Sequence, residues 1–452
     1  MTTSATTAAP TPRAAGTATV TPTSTALVRR GGGDAATARA FAFLDAMMDG
    51  ATPSSQPADA PPTLPQSYAD QMGLHATGFT YDAALALLAY LTQPSRTARA
   101  RARQLGDALL YAQDHDPDYS DGRLRQAYTV GPFSVGGVTQ PHGFRRPDGA
   151  VNTDGPFDFR SSHTGDLAWA GIALAALGRR TGQRRYTAGA TRIGAWLVRE
   201  CRSSGPLAGF RAGMDGSGRT LPALSTAHNA SLVALFGALA AATGDVAWLR
   251  QRSHAGRFVA SMWREHDGCF SALSPDGAAI DRGPATVEAQ LHPWLAVLRL
   301  RSRPALDFVH QTLTVTDTAE RPNSALPKGA SFTGVTFSTA SRTVGADGGD
   351  ALPTPDPYAV WFEGTAQYAC AVGRDQAERY RWSTLVEGLA LAQERLGEGQ
   401  SVAGRALPGS AGLVAASSPL PAGVSESGYF PVRHVATTAW FVLARAGVNP
   451  LQ

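Results

Sequence analysis

Two kinds of helical segment alternate along this chain, and the alternation fixes what it can fold into. One kind is apolar on nearly every side: 79–91 (FTYDAALALLAYL), 164–177 (TGDLAWAGIALAAL), 226–242 (TAHNASLVALFGALAAA), 286–298, 357–372 and 434–446. A helix without a polar face has to be covered all round. The other kind is amphipathic: 35–48, 97–113, 184–201, 246–263, about 303–313, and 375–396. In 184–201, Tyr186, Ala190, Ile193 and Leu197 mark one apolar face and arginines take the others. The order outer, inner, outer, inner predicts twelve helices in two layers.

The links between them are unequal. Inner-to-outer links are short, as in Arg179 to Gln183, or in Thr243-Gly244-Asp245, a C-cap glycine followed by an N-cap aspartate. Short links make antiparallel neighbours. Outer-to-inner links are long: 49–78, 114–163, 202–225, 264–285, 314–356 and 397–433. All long loops therefore share one face, where the inner helices begin, and such loops on a rigid scaffold are where sites are built. Six helical hairpins closing into a ring predict an all-α, (α/α)6 barrel. An open helical solenoid is the alternative, though its repeats are shorter and more regular. The barrel occupies 34–452 as one domain, and the Thr-, Ala- and Pro-rich 1–33 reads as a disordered tail without the apolar stretch of a signal peptide.

Each inner helix opens with polar residues that a buried helix should avoid. They are Tyr81 and Asp82; His163 and Asp166; His228 and Asn229; Glu288, Gln290 and His292; Trp361, Glu363 and Gln367; and, around the last, Glu426, Tyr429 and His434. Parallel inner helices would bring these to one cavity under the long loops. Each has an ordinary reading too. Asp82 and Asp166 suit a first helical turn. Glu363 stands about a turn and a half beyond Asp356-Pro357, a pair suited to N-cap and N1, so it needs a cavity or a buried arginine. Trp169, Trp294, Trp361 and Trp440 serve as core or as sugar platforms. In the second long loop, Asp154 and Asp158 are candidates to reach the cavity. DHDPDYSDG (114–122) looks superficially like a calcium loop but lacks the closing glutamate, which favours a solvated acidic loop.

These stretches together resemble the six-hairpin glycosidase superfamily, over about 35–450. FTYDAALALLAYL is similar to a first inner helix whose Tyr-Asp pair faces a sugar. HTGDLAWAGIALAAL, WFEGTAQ and the closing HVATTAWFVLARAGVNP are similar to later ones. The resemblance implies acids at the barrel mouth as the catalytic groups, here Asp82, Asp166 and Glu363. Relatives would be expected to carry an acid where this chain has Ala227. It implies an oligosaccharide or glycoside substrate and no cofactor or metal.

Under that resemblance a glycoside hydrolase comes first, inverting favoured, with Glu363 as general acid and Asp166 or Asp82 as ionised base. Inversion expects carboxyls about 6.5–9.5 Å apart and retention about 5–5.5 Å. The substrate would meet Tyr81, Asp154, Asp158, His163, Trp169, His228, Asn229, Glu288, Gln290, Trp361, Gln367, Tyr429 and His434. A sugar epimerase or isomerase using His163, His228, His292 and His434 stays open. So does a lyase with Tyr81 or Tyr429 and cationic help from Arg145, Arg146 and Arg160, and so does a non-catalytic glycan-binding relic.

Composition narrows the rest. The net charge of +4 comes from arginine, since Lys328 is the single lysine, and no basic stripe with interleaved aromatics suggests nucleic acid. Cys201, Cys269 and Cys370 lack metal or redox spacing and read as buried thiols. The longest apolar helical stretch, near Leu167 to Leu177, looks too short for a membrane span. A cytoplasmic location is the default, and oligomeric state is left open.

Overall fold

A computed structural model describes residues 35–50, 61–135, 138–296, 302–343, 354–373, 375–423 and 428–452. Among them are twelve α-helices. The outer set is α1 (Ala35–Asp49), α3 (Arg96–Asp114), α5 (Arg184–Trp196), α7 (Ala247–Ser261), α9 (Ser302–Phe308) and α11 (Arg379–Arg395). The inner set is α2 (Thr80–Leu91), α4 (Thr164–Thr181), α6 (Thr226–Thr243), α8 (Val287–Leu295), α10 (Phe362–Val372) and α12 (Val435–Ala446). Each inner helix packs on the next, and α12 packs on α2, so the inner ring is closed: an (α/α)6 barrel. The residue that apolarity buries is the small one. Alanine and glycine fill α2, α4 and α6 and let the helices approach.

One device recurs six times. Each inner helix is preceded by an extended residue: Phe79, His163, Ser225, Thr286, Trp361 and His434. The first helical N–H then donates to a carbonyl of the next long loop. The pairs are Thr80 to Gln126 (2.9 Å), Thr164 to Ala212 (2.8 Å), Thr226 to Ala272 (2.9 Å), Val287 to Phe337 (3.0 Å), Phe362 to Ala415 (3.0 Å) and Val435 to Ser67 (2.9 Å). The last returns to the first loop and closes the ring. Thr80, Thr164 and Thr226 add their hydroxyls, donating to the carbonyls of Arg125, Arg211 and Ser271. Helix N-termini that would otherwise strand donors are thus satisfied and fixed in place.

Several expectations need correction. The long loops are not structureless: they carry short antiparallel pairs, the longest being Thr314–Thr318 with Ser331–Val335. Strands of two or three residues are too short to show a period. Helix α10 begins at Phe362, not at 357. Asp356 to Ala359 form a turn, closed by Ala359 N donating to Asp356 O, and Trp361 is extended and bridged to Ala416, so Asp356-Pro357 is no cap of α10 and Glu363 lies in its first turn. The outer segments 184–201 and 303–313 end in π turns, Leu197–Cys201 and Val309–Leu313. Among the described residues, the helix long and apolar enough to cross a membrane is α6, not the Leu167 region. It is an inner-ring helix packed on α4, α7 and α8. Cys201, Cys269 and Cys370 are buried free thiols.

Candidate active site

Six helix N-termini meet at the barrel mouth, each with a partial positive charge that favours carboxylates. Counting from the first residue of each helix, side chains two, three and six places in face the axis. Place two supplies Tyr81, Glu288 and Glu363. Place three supplies Asp82, Asp166, His228 and Thr437. Place six, one turn deeper, supplies Trp169, Ser231, His292, Gln367 and Trp440.

One side of the mouth, formed by α10, α12 and α2, is hydrogen-bonded around Tyr81, Glu363 and His434, although Gln367 Oε1 and Trp361 Nε1 there keep no partner. Tyr81 donates its hydroxyl to Glu363 Oε1 (2.7 Å) and accepts from Trp440 Nε1 (2.9 Å). Gln367 Nε2 donates to Glu363 Oε1 (3.3 Å) and reaches Glu288 Oε1 (3.4 Å). His434 sets Nε2 3.1 Å from Asp82 Oδ2 and Nδ1 3.0 Å from Thr437 Oγ1, with Glu363 Oε2 at 3.7 Å. Tyr68 stacks flat on the His434 ring, centroids 4.0 Å apart. Asp82 and Glu363 are each 2% exposed. Burial pulls the His434 imidazole down, but the facing Asp82 and Glu363 carboxyls outweigh it and hold its pKa above the ordinary value. Burial pushes Glu363 up to about 7, against the pull of His434.

The other side, from α4, α6 and α8, is left unfinished. Asp166 Oδ2 has no hydrogen-bond partner, and His163 Nδ1 stays 3.8 Å away. Burial, reinforced by Asp82 and Glu288, raises the Asp166 carboxyl to about 8. The direction of this shift runs against an ionised base at this position. His228 Nδ1 and His292 Nε2 are buried without partners. Burial and the two neighbouring histidines depress His228 to about 3, and burial lowers His163 and His292 as well. Three neutral imidazoles thus face the Asp166 carboxyl. Small residues make the room: a Cβ on Gly165 would sit 2.6 Å from the His228 ring. Ala227 stands where an acid was expected, buried, with its carbonyl accepting from Ser231 Oγ.

The floor is aromatic. Trp169 contacts Tyr81, His292 and Trp440 edge to face. Trp361 packs with Phe337 and Tyr429, its Nε1 buried and unpartnered. Gln367 Oε1 is also unpartnered. Tyr68, Tyr81, His163, Asp166, His228, Glu288 and Tyr429 remain partly exposed and form the opening.

Some expected residues do other work. Asn229 and Gln290 lie four places into their helices and point away from the axis. Asn229 accepts from Phe210 N and donates to Phe210 O; Gln290 does the same with Phe270. They clamp loops and are fully buried. Asp154 is exposed and paired with Arg146 at 3.6 Å, away from the cavity. Asp158 is exposed too, near enough to His163 to act on it electrostatically. The acids of 114–122 are engaged by arginine: Asp116 and Asp118 hold Arg125, and Asp121 holds Arg123. Glu426 lies outside the described residues. Tyr68 was missed, since it sits in a loop without periodicity.

No family model and no curated protein matches this chain. Solved structures do. A sugar epimerase from a ruminal bacterium shares 12% identity over 90% of this chain and 96% of its own, at a TM-score of 0.56. A family 76 glycoside hydrolase (mannosidase) from Bacteroides thetaiotaomicron shares 9% over 91% and 97%, at 0.54. The cellobiose 2-epimerase from Spirochaeta thermophila shares 12% over 83% and 86%, at 0.53. At such identities the likeness shows the fold alone, the (α/α)6 barrel.

Proposed function

We propose that this chain is a carbohydrate-active enzyme that hydrolyses a glycosidic bond, with Asp166 as proton donor and Glu288 as base. The observation that supports it is the unfinished side of the mouth. A carboxyl that burial pushes up to about 8, with one oxygen free, stands at the partly exposed mouth among buried polar atoms without partners. Buried polar groups are normally satisfied, so a cluster of exceptions implies a polar ligand. Asp166 then gives its proton to the glycosidic oxygen, while Glu288 takes one from the attacking water. Glu288 is partly exposed and held only by the long contact to Gln367. Glu363 is less free than the sequence suggested. Its Oε1 already has two donors and its Oε2 faces His434, which supports a positioning role.

A second reading is sugar epimerisation, favoured by the unpartnered Nδ1 of neutral His228. A lyase acting on a uronate finds less support. Arg145 is laid over Tyr111 and Arg146 is paired with Asp148, so neither is free to bind a carboxylate.

The test is a panel of neutral and acidic oligosaccharides followed by proton NMR, for wild type, Asp166→Asn and Glu363→Gln. Cleavage lost in Asp166→Asn supports hydrolysis, and the first anomer seen reports inversion or retention. Interconversion without cleavage replaces it with epimerisation. Binding without turnover, equal in all three proteins, leaves a glycan-binding module.

A further inference from the structure

Behind the mouth, away from the acids already described, two more carboxyls are buried together. Asp317 lies on the strand Thr314–Thr318 at 0% exposure, and Asp356 on the lead-in to α10 at 1%. Asp317 Oδ2 accepts from Ser417 Oγ (2.6 Å) and Ser418 Oγ (2.7 Å). One Asp356 oxygen accepts from the Tyr358 N–H at 2.9 Å. The remaining oxygens, Asp317 Oδ1 and Asp356 Oδ2, are buried and lack any donor. The two side chains lie within hydrogen-bonding reach of each other. A shared proton satisfies both oxygens at once, and two like charges at that distance in a buried position are strongly disfavoured.

The surroundings show what the pair holds. Ser417 Oγ, besides donating to Asp317, accepts from the Val360 N–H (2.8 Å). Ser418 Oγ accepts from the Ala325 N–H (2.8 Å). Asp356 N donates to Pro419 O (2.8 Å), and Trp361 N to Val335 O (2.7 Å). Three segments therefore meet on the pair: the 314–335 hairpin, the 413–421 stretch and residues 356–361. The last runs into Trp361 and, two residues on, Glu363. The charged group facing the pair is Arg321, which lies over the Tyr358 ring at 3.4 Å and draws Asp356 toward ionisation. We propose that Asp317 and Asp356 share one proton and act as a positioning lock, holding the start of α10, and with it Trp361 and Glu363, in register with the two loops. Loss of the proton opens the lock.

The test needs no substrate. Asp356→Asn puts an amide N–H where the shared proton lies, and it cannot titrate. Wild type should lose melting temperature more steeply than Asp356→Asn as the pH is raised from about 5 to about 9. Amide-exchange protection at 356–363 and 415–420, corrected for intrinsic rates, should fall with it in wild type and hold in the variant. Protection in α4 and α5 should change alike in both. Equal slopes, or protection lost alike in both proteins, overturn the proposal. If Asp356→Asn does not fold, Asp317→Asn reverses donor and acceptor and is read the same way. Failure of both isosteric variants to fold also overturns it.

Discussion

The two sides of the barrel mouth are built from the same six helix starts but treat their acids differently. Between α10 and α2, every polar atom of Tyr81, Glu363 and His434 has a neighbour, and Asp82 and Glu363 are nearly sealed. Between α4 and α8, Asp166, His228 and His292 each keep one atom unpaired. Side-chain size accounts for the difference. Trp361, Trp440 and Tyr81 fill the first side, whereas on the second Gly165 admits the His228 ring, which a Cβ there would meet at 2.6 Å. A satisfied network costs little and sets geometry. An unsatisfied one costs stability until something binds. On the proposed function, the first side serves as scaffold and the second as reaction surface.

The largest effect that could break this division is on turnover. Asp166→Asn keeps the shape but removes the donor, and should lower kcat by about 10²–10⁴-fold, the range for general acid catalysis. Its fold should be unharmed. Glu363→Gln should lower turnover less and stability more. The reverse ranking, measured by steady-state rates and urea unfolding, would exchange the roles of the two sides.

Next in size is pH. Both Asp166 and Glu363 have folded pKa values above the unfolded carboxyl range, so the folded state holds protons that the unfolded state has lost. Stability is then fully present below about pH 4 and falls as pH rises, by up to about 1.4 kcal/mol per unit for each acid, until its folded pKa is passed. The Glu363 share should end near pH 7 and the Asp166 share near pH 8. Asp166→Asn should remove the later part and stabilise the protein at pH 8. Activity that depends on protonated Asp166 should decline through the same pH. A flat stability profile between pH 5 and pH 8 in wild type would deny both raised values.

A third effect separates mouth from clamp. Asn229→Ala strands the Phe210 N–H and carbonyl, which should cost about 2–3 kcal/mol in unfolding. Glycan affinity per folded molecule should not change. A specific loss of affinity at unchanged stability would return Asn229 to the cavity.

Residues like Asn229 also show where the sequence was readable. The barrel followed from helix type and link length, both carried by long apolar stretches. The side-chain placement did not, because it depends on the first residue of each helix. At about 100° per residue, place four is nearly opposite places two and six, so one clear helix start decides which residue faces in. AVW at 359–361 looks helical by apolarity, yet its backbone is held out of the helix by Val335, Ala416 and Ser417, all far away in sequence. Glu363 was therefore placed a turn too deep. Tyr68 on His434, and Asp317 on Asp356, join loops across the barrel in the same way, and no local pattern announces such pairs.

The smallest effect tests the closed side alone. Tyr81→Phe removes the hydroxyl that donates to Glu363 and accepts from Trp440. Below pH 7 Glu363 carries its own proton, so a neutral hydrogen bond is lost, at about 1 kcal/mol. Above pH 7 the bond is to a carboxylate and is roughly twice as strong. The cost of the substitution should therefore grow across pH 7, and the Glu363 carboxyl should titrate still higher in the variant, since the lost donor favoured its charged form. Asp166, with no contact to Tyr81, should titrate as before, read by carboxyl-specific NMR of both proteins. A shift of equal size at Asp166 would mean that the two sides are one coupled network, and that the division between scaffold and reaction surface does not hold.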